Sequence, residues 1–366
     1  MLDEFKVKVG PQFYSYYNGA FDLIPNILNH YKVENLLIVH GEKSWEKAKP
    51  RLSFLEGSPH SVYYHQYTGE CSYFGADLIK EKVLKHQIDF IIGVGGGKLA
   101  DLVGYAANIS NVEFGMIPTL ASNCAPWTPL SVMYKEDGTS EGKSEHYFRQ
   151  AAFMITEPNL VVDAPVNYFV AGLADTIAKW YESESILAQE QLLDEPFLQM
   201  ASHAAVICKK TILTHAEQAV SDMEERKVTS EFVALSEIVF GVAGLVGGLG
   251  DKYARNAAAH AMHDALGKYV PESHNYLHGE KVAYGIFYQL ALEGKWTEID
   301  ELLPFYYQLK LPKTLGEMGI FLDEVTLEKI VAFIDSKEKV HLIPIEINSS
   351  ILKKAIIDLE NYIKTN

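Results

Sequence analysis

Cysteine is scarce. The 366-residue sequence has three, Cys71, Cys124 and Cys208, odd in number and far apart. Neither a disulfide framework nor a C-x-x-C metal motif fits that arrangement, so reduced, structural thiols are expected. Positive charge is also short, with 32 Lys plus Arg against 48 Asp plus Glu and a formal net charge of -16. Such a balance opposes nucleic acid and anionic membrane surfaces as partners, and it admits a small anionic substrate only where cations cluster locally. The start, Met1 to Gly10, alternates charged and apolar residues without a signal-type hydrophobic core, and no later run reads as long enough to span a membrane. A cytoplasmic protein is the resulting expectation. There is no convincing internal repeat and no low-complexity linker.

What is present fits a globular enzyme: 48% apolar and 22% charged residues over a length that exceeds one compact core, so two domains are expected. From Lys6 to about Pro165, short apolar runs alternate with amphipathic stretches. The runs Leu36–Val39, Asp89–Val94 and Phe114–Ile117 read as strands buried on both faces of a parallel sheet, with helices over Ala76–His86 and Leu99–Asn108 between them. That alternation predicts a doubly wound α/β domain. Asp137-Gly138 signals a hairpin, expected at an edge of the sheet, and Ala152–Ile155 reads as a further strand. After Asp163-Ala-Pro165, helical periodicity takes over. Helices are expected over Val166–Ala188, Phe197–Met223, Ser230–Leu245, Ala254–Tyr269 and His278–Gly294, with shorter ones near Leu327–Ser336 and Ser350–Thr365. The domain boundary is accordingly expected near residue 164, giving an α/β domain over 1–164 and an all-α domain over 165–366.

The segment Ile91-Ile-Gly-Val-Gly95-Gly96-Gly97-Lys98-Leu-Ala-Asp101 runs from a buried strand through three consecutive glycines into a helix. Glycines let the backbone approach a pyrophosphate, and the free N–H groups at the helix start favour its charge. Lys98 adds a point charge. Neither G-x-G-x-x-G nor the P-loop pattern is satisfied, because Lys98 and Leu99 stand at the discriminating positions, so a tight turn without a ligand remains the alternative. Asp101 is expected to stabilise the first turn of the following helix.

Gly-Gly-Gly-Lys with Leu-Ala-Asp, then Ile117-Pro-Thr119, Ala171-Gly-Leu-Ala-Asp175, Ala257-Ala-Ala-His260 and Leu277-His278-Gly-Glu-Lys281 occur in that order. Together they resemble the metal-dependent (iron-containing type) alcohol dehydrogenases of the glycerol dehydrogenase kind, over about residues 35 to 290. Cys124–Ser131, Ala174–Tyr181 and Gly247–Asp251 look most like the hydroxycarboxylate dehydrogenase branch. The resemblance implies a Rossmann-like N-terminal domain with a parallel sheet and an all-helical C-terminal domain, the fold shared with dehydroquinate synthase. It also implies a dinucleotide in the cleft between domains, its pyrophosphate on Gly95, Gly96, Gly97 and Lys98, with further contacts from Thr119, Thr128, Leu130 and Tyr134. Glu42 falls where the family often has an acid for the adenosine ribose. An acid there repels a 2'-phosphate and favours NAD over NADP, with Lys43 next door as a counterweight.

Spacing alone identifies no metal site. The resemblance implies that Asp175, His260 and His278 hold one divalent ion, which polarises the substrate oxygen while hydride moves between substrate and nicotinamide. A helix carrying Asp175 places Lys179 and Glu182 on the same face. The iron branch has a further histidine at the position of Lys179. A lysine there makes zinc the first choice, with iron or manganese as alternatives. Cys124 stands where glycerol dehydrogenases have an aspartate that binds substrate hydroxyls, and Lys179 offers a positive charge near the ion. The expected substrate is therefore a 2-hydroxycarboxylate or 2-oxo acid paired with Lys179, aided by Lys252 or Arg255. Against this, Lys179 simply neutralising Asp175 or Glu182 is a common helix arrangement. His203, His215, His263 and His274 read as packing or surface histidines, and the small-residue run Gly241–Gly250 as close helix packing. Rival functions are a glycerol or polyol dehydrogenase, a glycerol-1-phosphate dehydrogenase, a dehydroquinate synthase-like lyase and a non-catalytic NAD-binding protein. The family also implies a homo-oligomer.

Overall fold

The computed structural model of the chain describes Leu2 and residues 5–365, so the expectation for Met1 to Gly10 lies partly outside the described residues. These residues divide into two compact units. One takes Val9–Phe169 and Val220–Gly244, and the other takes the chain up to Lys8, Val170–Ala219 and everything from Leu245 on.

The first unit is built on six parallel strands: β1 (Tyr14–Tyr16), β2 (Asn35–His40), β3 (Ser61–Gln66), β4 (Phe90–Gly95), β5 (Glu113–Pro118) and, after a hairpin, β8 (Phe153–Thr156). Their spatial order is β1-β8-β5-β4-β2-β3. From β2 the chain moves outward to β3, and from β4 it moves the other way to β5. The pair β2 and β4 is thus the place where strand order reverses, and the crevice at the carboxyl ends of such strands is where α/β sheets bind ligands. All six residues of β4 are buried, as continuous apolar runs in a covered parallel sheet require. One face packs Leu36, Ile38, Phe90, Ile92, Ile117 and Phe153 with Ile24 and Leu28.

The helix Tyr73–His86 starts on Ser72, whose hydroxyl accepts the Gly75 N–H, and ends on Gln87 in the left-handed region. The helix Gly97–Ser110 likewise ends on left-handed Asn111. Both endings are αL caps supplied by polar side chains instead of glycine.

The hairpin forms where Asp137-Gly138 indicates, but β6 (Leu130–Tyr134) and β7 (Ser140–His146) make a separate two-stranded antiparallel sheet and do not extend the main one. The reason is a rival anchor. Asp101 Oδ2 accepts the Val132 N–H at 3.1 Å and the Asp101 carbonyl accepts the Ser131 hydroxyl at 2.6 Å, which ties β6 to the glycine-turn helix.

The second unit is helical. Phe287 and Tyr306 stack with centroids 4.0 Å apart, and the Tyr306 hydroxyl donates to the Ala283 carbonyl. The helix Trp296–Leu309 escapes the sequence reading because Pro304 lies inside it. Contrary to the sequence expectation, Ser230–Tyr253 is a continuous helical run of 24 residues, long and apolar enough to cross a membrane by length and composition. Its apolarity is accounted for by burial, since 72% of its most apolar window lies inside the protein. The run passes through π geometry at Ile238–Val242, and at Gly241 and Gly244 the Trp127 indole fills the space a Cβ would need.

Candidate active site

In the sheet-bearing unit, β4 ends at Gly95, Gly96 is the N-cap residue, and Gly97 opens a 14-residue helix. The absence of side chains matters for packing as well as for ligand approach: a Cβ on Gly97 would collide with the Asn123 amide. Thr119 follows β5, is buried, and donates its N–H to the Gly95 carbonyl at 3.1 Å, so it stands beside the glycine turn. Lys98 projects outward and donates to Glu70 Oε1 at 2.6 Å. Across the strand reversal, Glu42 and Lys43 begin the helix after β2 and are exposed. Gly41, the N-cap of that helix, is held by Ser44, whose hydroxyl also donates to the Val94 carbonyl at 3.0 Å.

Leu130 and Tyr134 bound β6, and the Tyr134 N–H donates to the Cys71 carbonyl. Cys124 and Thr128 sit in the preceding turn, where the Thr128 N–H returns to the Cys124 carbonyl at 3.2 Å. All three cysteines are free, with Cys71 and Cys208 buried and Cys124 half-buried. Asp101 departs from its expected role. It belongs to the second helical turn and serves β6, and burial pushes its carboxyl up to about 8 against the opposing Val132 N–H.

In the helical unit, three helices converge. Val166–Leu187 carries Asp175, Ala258–Tyr269 carries His260, and His278–Leu292 opens with His278. Asp175 Oδ1 lies 3.1 Å from His260 Nε2 and 3.2 Å from His278 Nε2. One ligand atom from each of the three residues falls within 4.8 Å of the others, the only such His/Cys/Asp/Glu group among the described residues. A carboxylate oxygen with two imidazole nitrogens is a donor set that fits a divalent ion. Asp175 is buried, and burial alone raises a carboxyl. The His278 charge, the hydrogen bonds of both imidazoles and the Lys179 charge outweigh it and hold the carboxyl well below its ordinary value.

Lys179 is buried with its ammonium donating to the Arg255 carbonyl at 3.2 Å, and it acts electrostatically on Asp175, Glu182 and His260. The other two expected cations are engaged elsewhere: Arg255 donates to the Gly247 carbonyl at 2.9 Å and faces Asp251, and Lys252 faces Glu338. His263 is buried against His278, ring centroids 4.1 Å apart, with Nδ1 on Asp264; burial pushes its imidazole down to about 3. His203 and His274 are exposed.

Glu182 is the residue whose partner the sequence does not reveal. It shares the Asp175 face, as the helical period indicates, but its 2.5 Å contact with His260 Nδ1 crosses 78 residues of chain.

The sequence profile described as "Iron-containing alcohol dehydrogenase" matches residues 11–158. Hydroxycarboxylate dehydrogenase A of Escherichia coli is 31% identical over 362 residues, covering 98% of each chain. A glycerol dehydrogenase of Pseudomonas putida is 33% identical over 272 residues, 73% of this chain and 72% of that one. Among solved structures, glycerol dehydrogenase from Schizosaccharomyces pombe superposes with a TM-score of 0.85 at 25% identity, covering 99% of this chain and 93% of the other. A probable glycerol dehydrogenase from Sinorhizobium meliloti reaches 0.86 at 24% identity over 99% and 100%, which speaks for the fold. With the motifs, the fold and a relative matched almost end to end, the chain belongs to the iron-containing alcohol dehydrogenase family and is an oxidoreductase acting on alcohol groups.

Proposed function

We propose that this oxidoreductase transfers hydride between NAD and a small alcohol, with a 2-hydroxycarboxylate/2-oxo acid pair as substrate, and that it uses one divalent ion held by Asp175, His260 and His278. The observation that carries the substrate class is Lys179, a buried ammonium facing the same carboxylates and imidazole as the ion site. A buried cation there pairs naturally with a substrate carboxylate. The likeness to hydroxycarboxylate dehydrogenase A over 98% of the chain supports the same class. When bound, the ion polarises the substrate oxygen as a Lewis acid and the dinucleotide carries the hydride.

Gly95, Gly96, Gly97 and the helix start behind them offer backbone N–H groups to a pyrophosphate. Thr119, Thr128, Leu130 and Tyr134 line the remaining approach to the dinucleotide. Glu42 accepts from the adenosine ribose hydroxyls and disfavours a 2'-phosphate, with Lys43 beside it limiting the preference. Cys124 offers no carboxylate to a polyol, which turns preference away from glycerol. Zinc is the first choice of ion because Lys179 stands where a four-ligand iron site needs histidine. The net charge of -16 speaks against nucleic acid and anionic membrane as partners; a small-molecule substrate, a cytoplasmic location and a homo-oligomer are expected.

A panel of 2-hydroxy acids, 2-oxo acids, glycerol and glycerol 1-phosphate, run with both nicotinamides and with zinc, manganese or iron, tests the reading. The highest kcat/KM belongs to a 2-oxo acid with NADH and zinc. A glycerol or glycerol 1-phosphate optimum contradicts the substrate assignment, and an NADPH optimum contradicts the role of Glu42.

A further inference from the structure

Four backbone N–H groups at the start of an α-helix lack intrahelical partners, and when buried they must be satisfied from elsewhere. At the His260 helix the N-cap is Ala257, whose methyl group cannot accept a hydrogen bond. Two buried side chains from the flanking helices take all four. Glu182 Oε1 accepts the N–H of Ala257 at 2.6 Å and of His260 at 2.9 Å, and Gln289 Oε1 accepts those of Ala258 at 3.0 Å and Ala259 at 3.2 Å. Gln289 also donates to the Tyr181 carbonyl at 2.9 Å, closing the set back onto the Asp175 helix. Glu182 lies on that helix and Gln289 on the His278 helix, so the three helices that supply Asp175, His260 and His278 are joined by one clamp.

The two halves of the clamp differ in one respect. The second oxygen of Glu182, Oε2, lies 2.5 Å from His260 Nδ1, whereas Gln289 bonds to the backbone of Ala258, Ala259 and Tyr181 and to the Glu293 carboxylate. A carboxylate can only accept, so Nδ1 carries a proton, and Nε2, on the Asp175 side, is the nitrogen whose lone pair is left to meet an ion when one binds.

We propose that Glu182 is a positioning residue for the ion site: it fixes the tautomer and ring orientation of His260 so that Nε2 faces the ion, while Gln289 shares only the helix-holding task. The proposal rests on the reading of Asp175, His260 and His278 as ligands. Outer carboxylates on ligand histidines commonly govern affinity by about 10- to 100-fold.

Glu182→Gln separates the two tasks. Its amide oxygen still accepts the two backbone N–H groups, but its NH2 then faces Nδ1 and forces the proton onto Nε2, where it blocks the lone pair. Turning the amide around restores Nδ1 at the cost of setting NH2 against two N–H donors. Zinc affinity is measured on chelator-stripped protein by competition with a chromogenic chelator, together with the melting temperature of the zinc-free protein. The expected result is a zinc Kd raised about 10- to 100-fold in Glu182→Gln, and a Kd within about threefold of wild type in Gln289→Leu despite a lower Tm. Equal zinc Kd in Glu182→Gln and wild type overturns the proposal, as does an equal loss in Gln289→Leu. If wild type itself binds no zinc, manganese or iron, the ion-site reading fails first and is recognised by that. Should Glu182→Gln not fold, 15N-histidine NMR of zinc-loaded wild type decides: His260 with its proton on Nδ1 supports the assignment, and a bare Nδ1 overturns it.

Discussion

Lys98 donates to Glu70 Oε1 at 2.6 Å, so the cation beside the glycine turn already has an anionic partner. A pyrophosphate on that turn competes with Glu70 for it. Lys98 is 65% exposed, which keeps the ion pair in the range of about 0–1 kcal/mol. Glu70→Gln is therefore expected to tighten NAD binding by about two- to fivefold, and Lys98→Met to weaken it by a similar factor. In the Lys98→Met background, Glu70→Gln should have no effect. Fluorescence titration of all four proteins with NADH checks the cycle, and an undiminished Glu70→Gln effect without Lys98 rejects it.

Asp101 gives a pH signature. Burial pushes its carboxyl up to about 8, against about 3.9 in an unfolded chain. The folded state thus holds the proton more tightly than the unfolded state. The stabilisation from this group is complete below about pH 4 and is lost as pH rises through about 8. Asp101→Asn still accepts the Val132 N–H and does not titrate. The Tm of wild type is expected to fall relative to that of Asp101→Asn between pH 5 and pH 9, and a constant difference across that range contradicts the assignment.

Gly279 and Gly285 let the helices of Asp175, His260 and His278 approach one another closely. A Cβ at Gly279 would run into the Ala171 carbonyl, and one at Gly285 into the Ala259 carbonyl, both backbone atoms that cannot rotate away. Overpacking of this kind costs about 1–3 kcal/mol and occasionally more. Gly285→Ala is expected to lower the Tm and to weaken zinc binding, because the displaced backbone lies next to His260. Differential scanning calorimetry with a zinc titration measures both, and wild-type values for both would show that the helices have room.

The proposed substrate class makes Lys179 the partner of the substrate carboxylate. A charge-assisted contact to a carboxylate contributes about 1.5–3 kcal/mol, so Lys179→Met should lower kcat/KM for 2-oxo acids by about 10- to 100-fold. Neutral aldehydes of the same length should lose much less. An equal loss for both substrate types means that Lys179 serves the ion site alone.

The glycine turn was legible because strand, glycines and helix are contiguous, and the parallel strands because buried runs are apolar throughout. Strands β1 and β3 were not: β1 spans three residues, and β3 mixes exposed and half-buried positions with no buried residue. Trp296–Leu309 was hidden by Pro304, which a helix tolerates when its tertiary packing is strong. Asp175, His260 and His278 were recognisable only by resemblance, since 85 residues separate the first pair and no local period links them. The shared face of Asp175, Lys179 and Glu182 followed from helix geometry. That Glu182 reaches His260 did not, because capping by a distant carboxylate leaves no mark in the capped segment, where Ala257 stands at the N-cap.

Activity is expected to depend on one divalent ion held by Asp175, His260 and His278. Isothermal titration of zinc into chelator-stripped wild type and into Asp175→Asn, with NADH-linked turnover followed in the same samples, tests it directly. One zinc per chain and restored activity are expected for wild type, and neither for Asp175→Asn. Full activity in the stripped wild type, or an unchanged single site in Asp175→Asn, would contradict it.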